Sequence, residues 1–185
     1  LRSAQSRFRV RSILCAAMPL LGVILACILN FEFNAPNGGF LACLFFTLSA
    51  AVLQIIGFLS SKSSLGDEDN EEQSVARCKL SMLYWTEAVL SCSLIALALT
   101  APMAGSRETV SFLTCLTDGC KFALGGAALS AAACLLINLI HARRHKSIGA
   151  GRVLVSRTVT VLLLIGLLIG HIYLNSFLLG NRHLY

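Results

Sequence analysis

Long apolar segments alternate with short polar ones along the chain, and five of the apolar segments are long enough to cross a bilayer. A helix needs roughly 20 mainly apolar residues to span the hydrocarbon core. The predicted spans cover residues 13–31, 40–60, 80–103, 122–142 and 153–179, and a polar loop covers 61–79. The pattern predicts an all-α fold: a polytopic transmembrane helical bundle that forms a single membrane domain over residues 1–185.

Composition supports a chain built for contact with lipid. Of its 185 residues, 56% are hydrophobic and only 13% are charged, whereas soluble domains have about 25% charged residues. This length leaves no room for a separate soluble catalytic domain. A net charge of +6 would suggest nucleic acid as the partner of a soluble protein. Here the basic residues flank apolar segments, so we expect the lipid bilayer as partner and no nucleic acid.

The distribution of lysine and arginine predicts the orientation of the five spans. If all five cross, the N-terminus, the 61–79 loop and the 141–157 segment share one side, which holds 12 of the 15 basic residues. The other side holds only three: Arg107, Lys121 and Arg182. Such an asymmetry marks the inside of a membrane. It predicts the N-terminus on the positive, inside face and the C-terminus opposite.

The compartment stays open between two alternatives. The positive side is the cytosol for a plasma or endomembrane protein. It is the matrix or stroma for a protein of an inner organelle membrane, such as the mitochondrial one. The chain starts at Leu1 without Met, which indicates a processed or incomplete N-terminus. Its first twelve residues contain four Arg and no acidic residue, which is typical of a targeting segment and also of a basic membrane flank. We favour the flank.

Four polar residues are predicted to form an intramembrane layer near the positive side: Gln54, Glu87, Asn138 and Arg157. Glu87 carries most of this argument, because a carboxylate within a span costs roughly 2.5–3.5 kcal/mol unless it is paired, protonated or hydrated. One interpretation makes Glu87 a proton or cation ligand in a transport path. The other makes it a structural partner of Arg157 that fixes helix register. We favour the structural interpretation, because a proton relay normally needs several titratable groups.

Small residues mark two candidate positions for helix packing. The fourth span contains Gly125 and Gly126 within ALGGAALSAAAC, which suits the crowded centre of a bundle. Gly166 and Gly170 form a GxxxG pair in the fifth span. This pair is expected to pack within the chain, with a homodimer seam as the alternative.

Cysteines and basic residues supply weaker candidates. The eight cysteines include no CxxC pair, so no metal site is expected. Cys115 and Cys120 could form a disulfide if their side of the membrane is oxidising; two reduced thiols are the alternative. Within HARRHK (141–146), Arg143, Arg144 and Lys146 are predicted to contact lipid headgroups.

Function is only loosely bounded by these patterns. No phosphate loop, GxSxG or HExxH signature occurs, so we expect neither an enzyme nor a bound cofactor. The first hypothesis is a non-catalytic integral membrane subunit or scaffold that packs beside other membrane protein subunits in a larger complex. The alternative is a small transporter or channel subunit that uses the polar layer around Glu87. The third and least favoured is a membrane enzyme or cofactor carrier that uses His171.

Overall fold

The regular structure of the described residues is α-helical apart from one 3₁₀ turn. The computed structural model describes residues 2–65, 72–145 and 150–180, and these contain no β-strand. The helices are α1 (Arg2–Phe31), α2 (Pro36–Ser64), α3 (Glu72–Thr100), α4 (Phe112–His145) and α5 (Ala150–Gly180), with the 3₁₀ turn at Ala101–Met103. All five α-helices carry a stretch long and apolar enough to cross a membrane. For the described residues this confirms the all-α class and the presence of five helices long and apolar enough to cross a membrane.

The helices extend beyond the predicted spans. The first begins at Arg2 instead of residue 13, and the fourth begins at Phe112 instead of residue 122. Hydropathy marks only the part of a helix that suits lipid, whereas backbone hydrogen bonding continues through polar turns outside it. The ends of the predicted 61–79 loop likewise continue α2 and α3 as helix, and its middle, residues 66–71, lies outside the described ranges.

Two glycines allow α1 and α2 to pack as close antiparallel neighbours. A Cβ on Gly22 would lie 3.2 Å from the Cα of Cys43, and a Cβ on Gly39 would lie 2.7 Å from the carbonyl oxygen of Ala26. Close backbone approach is a main source of helix association in lipid, where the hydrophobic effect does not drive helices together. The α1–α2 pair is therefore built on backbone contact and not on interlocking large side chains.

The central helix is α3, which packs against α1, α2 and α4, while α5 packs mainly on α4. The expectation that the small-residue helix α4 occupies the centre of the bundle is wrong. One side of α4 does use its small residues against α3, but Leu129 and Leu136 on its other sides are 67% and 58% exposed. Small residues permit close approach on any face, and only the arrangement of neighbours decides which face is covered.

Hydrogen bonds made by asparagine side chains join the connection between α3 and α4 to the region around the turn between α1 and α2. The side chain of Asn30 donates to the carbonyl oxygen of Val110 at 3.0 Å and accepts from its amide at 3.1 Å. Asn37 accepts from the amide of Gly105 at 2.7 Å, and Thr109 donates to Asn34. This end of the bundle is therefore closed by polar contacts. The end that carries residues 2–12 of α1, here named the basic end, lies opposite.

Candidate functional site

Two buried polar clusters lie on different sides of α3 toward the basic end. They start from the adjacent residues Thr86 and Glu87. Neighbouring side chains on an α-helix point about 100° apart, so these two face different neighbouring helices. Thr86 faces Gln54 of α2, and Glu87 faces α4 and α5.

The first cluster, named the Gln54 node, joins α1, α2 and α3. The amide nitrogen of Gln54 donates to Ser12 Oγ at 2.9 Å and to Thr86 Oγ1 at 3.3 Å. Each hydroxyl in turn donates to the carbonyl oxygen four residues earlier in its own helix, at Phe8 and Met82. Both protons of the Gln54 amide group are thus used inside the protein, and the node sets the register of three helices.

The second cluster, named the Glu87 cluster, joins α3, α4 and α5. Glu87 Oε2 lies 3.1 Å from Arg157 Nη2 and 3.4 Å from Asn138 Nδ2. The Asn138 amide also donates to the carbonyl oxygen of Cys134 at 2.8 Å. The guanidinium of Arg157 lies over the ring of Tyr84, 5.8 Å from its centroid. The only acidic side chain buried among the described residues therefore has a cationic partner from another helix.

The structure divides the predicted layer of four residues into these two clusters. Glu87, Asn138 and Arg157 lie together, whereas Gln54 bonds to Ser12 and Thr86. Sequence reasoning could rank the four by depth, because depth follows from counting residues along each helix. It could not assign them to faces of α3, since that depends on how the helices pack.

A row of small polar side chains continues from the Glu87 cluster along the seam between α3 and α4. The hydroxyl of Ser91 donates to the carbonyl oxygen of Glu87 at 2.7 Å and also bonds to Ser130. Its single proton is already used, so Ser130 donates to Ser91. Cys134 lies beside them, with its sulfur 4.0 Å from Ser91 Oγ. This row was not predicted from the sequence. Its members could have been found from their spacing, because Ser91 follows Glu87 by four residues and Cys134 follows Ser130 by four.

Tight backbone packing ends the row. A Cβ on Gly126 would lie 3.1 Å from the Cβ of Ala98 and 3.6 Å from the carbonyl oxygen of Leu94. The seam beyond Ser130 is therefore filled by apolar groups in contact. The polar row runs from the Glu87 cluster to Ser130 and stops there.

Three buried acceptor atoms in the two clusters have no hydrogen-bond donor among the described residues: Gln54 Oε1, Glu87 Oε1 and Asn138 Oδ1. The orientation of the Asn138 amide follows from its contacts, because its nitrogen faces a carbonyl oxygen and a carboxylate. An unsatisfied buried acceptor costs about 1–3 kcal/mol. Each of these atoms therefore favours a small donor, such as water, beside it.

The predicted packing glycines lie in different surroundings. Gly126 contacts α3, and a Cβ on Gly125 would lie 3.9 Å from a methyl group of Leu168 in α5. A Cβ on Gly166 or Gly170 would meet nothing within 4 Å in the described part of the chain. The GxxxG pair was expected to pack within this chain, but no helix in the described part contacts it.

Cys115 and Cys120 are both free thiols within α4. Five residues of helix rise about 7.5 Å, which exceeds the Cα separation of roughly 7 Å that a disulfide tolerates. A bridge between them would require this part of α4 to unwind. Of the two alternatives, the structure has the reduced form.

The remaining candidates are only partly described. Arg143 is exposed in the last turns of α4, while the Arg144 side chain and all of Lys146 lie outside the described part. The contact of these residues with lipid headgroups stays a prediction. His171 Nε2 lies 3.1 Å from the carbonyl oxygen of Thr117. Among the described residues, no three His, Cys, Asp or Glu side chains are grouped to hold a metal ion.

These observations define a class: an all-α integral membrane protein with five helices able to span the bilayer and two buried polar clusters around α3. No family model, curated protein or solved structure matches the chain.

Proposed function

We propose that this protein is a non-catalytic integral membrane subunit or scaffold that packs beside other membrane proteins in a larger complex. Its N-terminus lies on the positive face of the membrane and its C-terminus on the opposite face. The 12 basic residues assigned to one face, against three on the other, support this orientation. A plasma or endomembrane and a mitochondrial inner membrane both accommodate it, and cell fractionation would distinguish them.

The outer side of α5 is the observation that carries the proposal. From Arg157 onward its half-buried residues recur every three or four positions, while those between them are exposed. The half-buried residues are Arg157, Val161, Leu164, Leu168 and His171. They form one stripe along α5. Leu168 and His171 in this stripe contact α4, and Arg157 contacts Glu87 of α3. Gly166 and Gly170 lie outside this stripe and present bare backbone, a surface that lets another transmembrane helix approach closely.

Replacing Gly166 and Gly170 together with Ile should remove the protein from its complex without unfolding it. The new side chains would block close approach of another helix, yet their Cβ atoms meet nothing within 4 Å in the described chain. We expect the wild type to migrate with a large complex on native gels after gentle detergent extraction, and the double variant to migrate alone.

Gly151→Ile is the matched control, because Gly151 also lies in α5 with open space around it but outside the apolar stretch. It should migrate like the wild type. Wild-type protein that migrates as a free monomer would contradict the subunit proposal, and so would a double variant that still migrates with the complex.

A transporter or channel subunit is the second candidate, and the unbonded acceptors favour it. Glu87 Oε1 and Asn138 Oδ1 are buried without donors, at one end of the row formed by Ser91, Ser130 and Cys134. Such a row could hold water or a proton. The ion pair with Arg157 and the closure at Gly126 favour a structural role for Glu87 instead.

Glu87→Gln distinguishes the two candidates. Under the first, liposomes containing either the wild type or this variant should pass protons and monovalent cations no faster than protein-free liposomes. Gln retains an acceptor for Arg157 and Asn138, so assembly should survive. A wild-type flux that the variant abolishes while it still assembles would establish transport through this cluster.

A further inference from the structure

Two adjacent aromatic residues of α3 each make a cation–π contact with an arginine from another helix. The Tyr84 ring lies 5.8 Å from the guanidinium carbon of Arg157, and the Trp85 ring lies 5.4 Å from that of Arg9 in α1. The attraction of a guanidinium to a ring comes from its positive charge, so its N–H groups can still donate to an acceptor. Each arginine is therefore positioned to bind an anion.

The two arginines differ in what their N–H groups meet. Arg157 donates to the carboxylate of Glu87, and Arg11, two residues beyond Arg9, donates to the carbonyl oxygen of Leu53 at 2.9 Å. Arg9 is exposed, and its guanidinium has no hydrogen-bond acceptor among the described residues. Arg157 therefore has an anionic partner, the Glu87 carboxylate, whereas Arg9 has none among the described residues.

The groove around Arg9 is built by contacts between α1 and α3. Gln5, one turn before Arg9, donates to Ser81 Oγ at 3.0 Å, one turn before Trp85. Phe8, Cys78 and Met82 pack beneath as a buried cluster that Trp85 also contacts. The indole is thus positioned by packing before any ligand binds, and the guanidinium already lies beside it, which reduces the entropy lost on binding.

Charge in this groove favours an anion at the surface of the membrane. The chain has four arginines and no acidic residue before Glu32, and Arg9 lies on the helical part that precedes the first apolar span. Trp is enriched at the membrane–water interface, where the phosphate groups of lipids lie. A planar guanidinium forms two parallel hydrogen bonds with a phosphate.

We infer that Arg9 and Trp85 form a binding site for the phosphate of an anionic phospholipid, in the groove between α1 and α3 at the basic end. Arg9 supplies the hydrogen bonds and the charge. Trp85 orients the guanidinium and packs against the lipid near its glycerol region. This site uses other residues than the 143–146 segment and does not depend on whether the chain joins a complex.

The sole tryptophan of the chain reports directly on this site. Full-length protein is placed in phosphatidylcholine vesicles in which a fixed fraction of lipid is replaced by brominated phosphatidylcholine or brominated phosphatidylglycerol, since bromine quenches a nearby indole. We expect the brominated phosphatidylglycerol to quench Trp85 more strongly. In Arg9→Gln its relative binding constant should fall about tenfold or more, the factor expected when hydrogen bonds between a guanidinium and a phosphate are lost.

Arg7→Gln is the matched control. It removes the same charge from the same helix, but two residues along a helix correspond to about 200° of rotation, so Arg7 points away from Trp85. It should keep the preference for phosphatidylglycerol. Equal losses in the two variants would show diffuse attraction and overturn the site, as would equal quenching by the two lipids in the wild type.

Two further experiments test whether an anion other than the lipid phosphate binds at this site. Millimolar inorganic phosphate should leave the quenching unchanged, and complete competition by it would show a site for free phosphate instead. Neutralising Asp67, Glu68 and Asp69 tests whether the acidic run of the same chain occupies the groove. A preference for phosphatidylglycerol that appears only in that variant would overturn the inference.

Discussion

Replacing Arg157 with Met is expected to lower the free energy of unfolding by about 3 kcal/mol or more. The guanidinium lies 3.1 Å from Glu87, whose side chain is only 3% exposed. Without it, a buried carboxylate keeps one protein donor, the Asn138 amide at 3.4 Å, and loses its only cationic partner among the described residues. Unfolding in mixed micelles with increasing dodecyl sulfate, followed by far-UV circular dichroism, measures the loss.

Removing the other partner should cost less, because the two side chains are buried unequally. Arg157 is 31% exposed, so in Glu87→Gln its long side chain can turn the guanidinium toward water or headgroups. Adding Glu87→Gln to Arg157→Met should therefore restore most of the lost stability. If Arg157→Met is no more destabilising than Glu87→Gln, the pair does not stabilise the bundle in the way that its geometry indicates.

The second large effect is expected at Gly39, where Ala should destabilise the protein by about 1–3 kcal/mol. The added Cβ would lie 2.7 Å from the carbonyl oxygen of Ala26 and 3.1 Å from its Cα. Both are backbone atoms, so no side chain can rotate to make room and α1 must move away from α2. The same dodecyl sulfate titration measures the effect.

Gly38 provides the control one position earlier in α2. A Cβ there would lie 3.6 Å from the Cβ of Ala35, which is an ordinary contact. Ala is a better helix former than Gly by up to about 1 kcal/mol. Gly38→Ala should thus be neutral or slightly stabilising, opposite in sign to Gly39→Ala. Equal effects at the two positions would refute the close approach between α1 and α2.

Counting residues along a helix predicts well how deep a side chain lies in the membrane. It predicts poorly which way that side chain points around the helix axis. Gln54, Glu87, Asn138 and Arg157 do lie in clusters at the same end of the bundle, because each advances about 1.5 Å per residue from a recognisable end of its helix. Ser12 and Thr86 went unnoticed, since single hydroxyls are common in membrane helices and become informative only beside Gln54. The same limit applies to Arg9 and Trp85, which are 76 residues apart in sequence and meet only through packing.

The sequence by itself determined that the chain forms five helices able to cross a membrane. That outcome follows from single segments, because lipid forces each backbone to satisfy its own hydrogen bonds and a bilayer sets the length of each apolar stretch. Only the tertiary structure decided that α3 is central, that Glu87 and Gln54 belong to separate clusters, and that Gly166 and Gly170 face outward. Those outcomes depend on the rotation of each helix about its axis, which close contacts such as Gly39 with Ala26 fix and which hydropathy does not encode.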